Sequence, residues 1–156
     1  MISQTVEYSL RAMVTLADRH DNAMTVKQIA AITKVPGPYL SKLMQGLVRA
    51  GLVRSQRGLG GGFRLERQPS EVTMWDIVEA VDPLKRIESC PLGIERHTEL
   101  CSLHRRIDQV ISDVEQAFRA TTLAEMVSET GPLSPLCSQS DDVVALLTPT
   151  ESDSIR

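Results

Sequence analysis

Four of the five residues from Gly58 to Gly62 are glycine, inside the run Arg57-Gly58-Leu59-Gly60-Gly61-Gly62-Phe63. Such a run has almost no side chain to bury. It lets the backbone turn tightly and approach another molecule closely. A phosphate-binding P-loop would need Lys-Ser or Lys-Thr closing the run and opening a helix, whereas Phe63-Arg64-Leu65 continues as an alternating, strand-like segment. A dinucleotide fingerprint needs a strand before the glycines and a helix after, which is the wrong order here. Taken alone, the run also reads as an exposed hairpin tip without a ligand.

What precedes the glycines narrows the choice. Two short helical patterns, Thr25–Ile32 and Tyr39–Ala50, lead into the apolar exit Gly51-Leu52-Val53. Thr25 and Gln28 fit a capping box, in which each side chain satisfies the other residue's unpaired amide. Val35-Pro36-Gly37 reads as the turn, and Pro38 suits the first position of the next helix. There Leu40, Leu43, Met44 and Leu47 make an inner stripe, with Gly51 as the carboxyl-terminal cap. Tyr39, Ser41, Lys42, Gln45 and Arg49 fall on the opposite face. Two short helices, a turn and a basic glycine-tipped hairpin describe a winged helix-turn-helix: a mainly α fold with a small β-hairpin wing.

That architecture implies a surface for double-stranded DNA. Thr25, Gln28, Pro38, Tyr39, Ser41, Lys42 and Gln45 are expected near base edges or adjacent phosphates. Arg54, Arg57 and Arg64, with Gly60 and Gly61 allowing close approach, are expected on the sugar–phosphate backbone. Charge supports the division. Residues 1–70 carry ten Lys/Arg against four Asp/Glu, whereas residues 71–156 carry seven against sixteen. The basic half suits a polyanion, and the acidic half opposes indiscriminate coating of DNA.

Outside this region, Leu10, Met13, Val14 and Ala17 mark a first helix over about Gln4–Asp18. Thr73-Met74-Trp75-Asp76 opens a capped helix ending at Asp82-Pro83, with Trp75 read as a packing residue. With only Tyr8, Tyr39, Phe63, Trp75 and Phe118 as aromatics, the core must be mainly aliphatic. Leu103, Ile107, Val110, Val114 and Ala117 alternate spacings of four and three, a coiled-coil-like seam on a helix of about 30 Å. Its expected partner is a second copy of the chain, and a homodimer would read a two-fold symmetric operator. No segment reaches the roughly 18 consecutive apolar residues of a membrane span. Without a charged-then-apolar leader, the expected compartment is cytoplasmic. The organisation expected is a DNA-binding domain over 1–83, a sensor segment over 84–100, a dimerisation helix over 101–129 and a disordered tail over 131–156.

An enzyme is not expected. His20, His97 and His104 come without a matched nucleophile, and no Ser- or Cys-centred catalytic motif is present. A metal-dependent hydrolase on Cys90, Cys101 and His104, or an adaptor using the winged helix as a scaffold, are the competing classes. Both predict no sequence-specific, salt-sensitive DNA affinity.

Taken in order, the first helix, the Tyr39-Leu40-Ser41-Lys42-Leu43 helix, the glycine-rich wing and the Thr73–Asp82 helix resemble the Rrf2 family over about residues 1–129. The wing with its following helix is the specific part of that likeness. The resemblance implies a homodimeric bacterial transcription regulator, read here as a repressor. It also implies that the long helix dimerises. Many members hold an iron–sulfur cluster near that helix, and others hold none.

Cys90 and Cys101-Ser102-Leu103-His104 match the ends of the family's ligand pattern. Thiolates suit such clusters, and imidazole can replace one of them. The midway cysteine of cluster-binding relatives is missing, and Glu95, Arg96 and His97 occupy that region. Some relatives recruit an acidic residue of the partner's first helix, and Glu7 falls at the matching place; His97 is the alternative fourth ligand. Mixed ligands favour a two-iron (2Fe-2S) cluster over a fully thiolate four-iron one. The residues alone leave three alternatives open: no cluster with Cys90 and Cys101 as a thiol switch, a zinc site, or no sensing here. Cys137, in the tail, is assigned no role.

Overall fold

The computed structural model describes residues 2–91 and 99–129. Its elements, in chain order, are α1 (Gln4–Asp18), α2 (Val26–Thr33), α3 (Gly37–Arg49), β1 (Val53–Gln56), β2 (Gly62–Leu65), α4 (Met74–Val81), α5 (Ser102–Ala120) and α6 (Leu123–Ser128). The first five, in the order helix, helix, helix and hairpin, are the winged helix-turn-helix. His97, Cys137 and the 131–156 tail lie outside the described residues.

Local chemistry sets the boundaries. Ser3 Oγ caps α1 by accepting from the Val6 amide. The Thr25–Gln28 box forms as expected: Gln28 Oε1 accepts from the Thr25 amide (2.8 Å), and Thr25 Oγ1 accepts from that of Gln28 (3.3 Å). Lys34 ends α2 in the left-handed region (φ 58°), turning the chain through Val35-Pro36. Helix α3 then starts at Gly37, two residues before Tyr39, so Pro38 is its second residue rather than its first. Either position tolerates proline, because first-turn amides have no intrahelical acceptor. At the far end the Leu52 amide donates to Leu47 O and the Gly51 amide to Val48 O. This Schellman pattern uses the positive φ of Gly51 (72°).

Leu40, Leu43, Met44 and Leu47 of α3 meet Ala12, Met13, Leu16 and Ala17 of α1 in the main aliphatic core, with Ile29, Leu52, Val53 and Leu65 closing it. Trp75 and Val78 of α4 pack with Val6 in a second cluster, against which Phe118 of α5 rests. Trp75 is therefore a packing residue, as expected, and the Arg119 guanidinium lies over its ring at 4.8 Å.

In the hairpin, Val53 faces Leu65 and Arg54 faces Arg64. Met24, in the connection before α2, exchanges two backbone hydrogen bonds with Phe63: Met24 N to Phe63 O at 2.9 Å, and Phe63 N to Met24 O at 2.7 Å. Gly62 makes this contact possible. A Cβ there would lie 2.5 Å from the Met24 carbonyl carbon and oxygen.

The long helix ends at Ala120, at the length its spacing predicts, so the 101–129 segment holds two helices. Thr121 leaves helical geometry, and Thr122 with Glu125 caps a new helix, α6. The reason is local: the Glu125 carboxylate accepts from the Thr122 amide (2.7 Å), which also lowers the Glu125 pKa. Leu123 is then fully buried in the main core. On α5 Leu103, Ile107 and Val110 remain exposed, and none of the helix's residues is buried within this chain.

Arg86 reaches back to α5. Its Nε and Nη2 donate to the two oxygens of Asp108 (2.7 and 2.6 Å), and the Ile87 amide donates to Asp108 Oδ1 (2.9 Å). The Arg86 side chain first, and then the Ile87 amide, hold the Asp108 carboxyl at about 2 instead of 3.8.

Two outcomes follow from these contacts. Gly62→Ala should destabilise the fold by at least about 2 kcal/mol through steric clash and strained φ. A lowered urea midpoint would register this, while an unchanged midpoint would mean the wing is not docked on Met24. Asp108 has its folded pKa below its unfolded value, so its tether is fully present above about 3.8 and is lost as pH falls through about 2. The hydrogen-exchange protection factor of the Ile87 amide should fall across that window, and should already be low at neutral pH in Asp108→Ala.

Candidate nucleic-acid interface and metal site

Helix α3 turns its apolar stripe inward and leaves Pro38, Tyr39, Lys42, Gln45 and Arg49 exposed. Ser41 is half-buried, with Oγ donating to Gly37 O (3.0 Å), so its proton is engaged within the helix and the hydroxyl can still accept. The phenol of Tyr39 meets Thr5 Oγ1 at 2.7 Å, and its ring stands edge-on to Tyr8 at 5.6 Å. This link between α1 and the exposed helix was not legible in the sequence. Its partners are 34 residues apart and neither carries a motif. Thr25 and Gln28 engage each other in the cap, which limits the polar atoms they can offer a base.

The wing tip is a tight turn. Gly61 N donates to Gly58 O (2.9 Å), with Gly58 and Gly60 at φ 94° and 75°. A Cβ on Gly61 would meet Gln56 O at 2.6 Å and Gly58 O at 2.7 Å, so only glycine closes the turn. Leu59 and Arg57 stand out from this tip, fully exposed to solvent in the case of Leu59. Arg54 and Arg64 lie elsewhere. They are paired across the hairpin, on the face opposite the core-facing Val53 and Leu65.

The second constellation survives in space. The ligand atoms of Cys90, Cys101 and His104 lie within 4.8 Å of one another. His104 Nδ1 is 3.2 Å from Cys101 Sγ and 3.7 Å from Cys90 Sγ. Cys101 is the residue before α5 and His104 sits in its first turn, so one helix start presents both, while buried Cys90 comes from the segment after α4. No disulfide joins the two thiols. Two soft sulfurs and an imidazole at this separation fit three of the four positions around zinc or around part of an iron–sulfur centre. Glu7 does not join the group within this chain; its carboxylate pairs with Arg11 Nε (2.5 Å), which in turn donates through Nη1 to Thr33 O. His97 falls outside the described residues.

Sequence reasoning also missed Arg86 and Asp108, which fasten the Cys90-bearing segment to α5 four residues beyond His104. Surface charges 22 residues apart carry no sequence signal of pairing. Among the described residues no helix is long and apolar enough to cross a membrane.

Comparison with known proteins agrees with this geometry. A transcriptional regulator of the helix-turn-helix type from Aquifex aeolicus (strain VF5) is 33% identical over 132 residues, spanning 82% of this chain and 92% of that protein. The structure of CymR, the global cysteine regulator of B. subtilis, superposes with a TM-score of 0.72 at 28% identity, covering 84% of this chain and 98% of that one. T. potens IscR does so at 0.68 and 28%, covering 81% and 85%. These relatives are regulators and not enzymes. Residues 2–129 match the family described as iron-dependent transcriptional regulators, and the chain belongs to that family, Rrf2, as a DNA-binding transcription regulator.

Proposed function

We propose that the chain is a homodimeric repressor that reads a two-fold symmetric operator, with a metal–thiolate centre at Cys90, Cys101 and His104 modulating its grip. The observation that carries the DNA reading is the exposed polar face of α3 beside a wing tip whose turn is fixed by Gly61 N to Gly58 O. Lys42 and Gln45, with Ser41 at the edge, would meet base edges in the major groove. Arg57 at the tip would follow the backbone into the neighbouring groove.

Dimerisation is supported by the seam of Leu103, Ile107 and Val110, which is 63, 41 and 54% exposed in one chain. Such a row on a 19-residue helix is what a second copy would cover.

For the sensing group, the reading is an iron–sulfur cluster of the two-iron type, held by Cys90, Cys101 and His104 with Glu7 of the partner subunit or His97 completing the set. When bound it would supply a centre sensitive to oxidation and to iron supply. The chain's own part is positional: Cys90 and the Arg86–Asp108 pair hold the segment after α4 against α5. A second reading has its own support in the closeness of the two sulfurs, within 4.8 Å. Without a cluster, Cys90 and Cys101 would form a disulfide, giving two electrons and two protons to an external oxidant.

Arg57→Ala should weaken binding to specific and non-specific duplexes alike, and lower the salt slope of log K by about one per protomer. Lys42→Ala should instead shift base preference. Fluorescence anisotropy over a salt series checks both, and an unchanged slope in Arg57→Ala would remove the wing from the interface. Anaerobically purified protein should show visible charge-transfer absorption with matching iron and sulfide, absent in Cys90→Ala. Colourless, iron-free protein after reconstitution would select the thiol switch.

A further inference from the structure

At the root of the wing, Arg54 and Arg64 face each other across the hairpin on its outer side. Like charges directly opposite on an antiparallel pair repel. Both residues line a cavity of about 300 Å³, together with His20 from beyond the end of α1, the stretch from Leu65 to Pro69, and Glu71. The Nε of Arg64 is buried and, among the described residues, has no acceptor. Of the other charges of the wall, Arg67 and Glu71 have partners. Arg67 donates to Glu71 O (3.2 Å) and lies 3.7 Å from Asp76, while Glu71 Oε2 accepts from the Gln68 amide (3.1 Å). His20 faces Asp21 at 3.4 Å, and Glu66 is exposed at the rim.

The wall thus carries three arginines against two carboxylates, with Arg54 and Arg64 facing each other and one Arg64 donor without an acceptor, so it is short of one anion. We propose that Arg54 and Arg64 bind a small tetrahedral oxyanion of the phosphate or sulfate class in this cavity. Guanidinium forks match such oxygens in plane and spacing. The cavity holds one such ion with several waters, each of which occupies about 30 Å³ of liquid. Its wall contains no residue of α2, α3 or the 57–61 tip. The site is therefore separate from the α3 face and from Arg57, and it does not rest on the operator reading. An ion seated there would bridge the two strands and relieve their repulsion, stiffening the hairpin that carries the wing tip.

The test is thermal unfolding of the full chain in a titration of inorganic phosphate, and separately of sulfate, against chloride at matched ionic strength. A saturable rise in Tm of a few degrees is expected in the wild type and in Arg57→Gln, through preferential binding to the folded form. The rise should vanish in Arg64→Gln. It should vanish equally in Arg54→Gln, whose exposed side chain is not needed for folding. A response no larger than that of chloride would overturn the proposal, as would one that persists in both variants. So would a loss confined to duplex affinity and its salt slope, which would assign the pair to the DNA backbone.

Discussion

The wing stands where it does because of two backbone hydrogen bonds, between Met24 and Phe63, made across a glycine that leaves no room for a Cβ. A two-stranded hairpin is marginal by itself in water. Pairing with Met24 gives it a third strand one residue long, and that residue belongs to the connection that leads into α2. The glycine tip is thereby fixed relative to the helix-turn-helix rather than hung from the end of β1. Val53 and Leu65 anchor the same hairpin in the core from its other end. The distance between the α3 face and the tip, which decides whether both can reach one duplex, is set by these contacts.

Glycines do two different jobs in that short run, and the sequence shows only that they are present. Gly58 and Gly60 supply positive φ for the turn, while Gly61 and Gly62 supply absence of volume against carbonyls of the chain itself. The sequence points to close approach of the run to another backbone. For Gly62 the approaching backbone is its own.

Much of the fold was legible because it rests on local rules. Capping pairs at Thr25 and Thr73, the apolar stripe of α3 and the Gly51 stop each involve residues within a few positions of one another. The apolar spacing of the long helix ends by Ala120, where α5 ends, and the capping box of Thr122 and Glu125 then opens the separate α6. Site residues divide in the same way. Cys101 and His104 share a helix turn, so their meeting could be anticipated, and the resemblance supplied Cys90. Arg86 with Asp108 and Thr5 with Tyr39 are contacts between distant segments, created by packing. The separation of Arg54 and Arg64 from Arg57 needed strand register, which a count of basic residues does not give.

Helix α5 carries two distinct faces. Cys101, His104 and Asp108 recur at intervals of three and four, so they share one face, and that face receives the segment carrying Arg86, Ile87 and Cys90. Leu103, Ile107, Val110 and Val114 are centred about a third of a revolution away, where a second copy would sit in the proposed dimer. The segment is thus held at two points one turn apart, by ionic hydrogen bonds at Asp108 and by sulfur–imidazole contacts at His104. Its other end is continuous with α4, which packs on α1 and α3. In the proposed dimer, a change in how Cys90 is held would therefore act on the joint between the winged helix-turn-helix and α5. Release at Cys90 alone would still leave the Asp108 tether, so the joint would loosen within limits rather than detach.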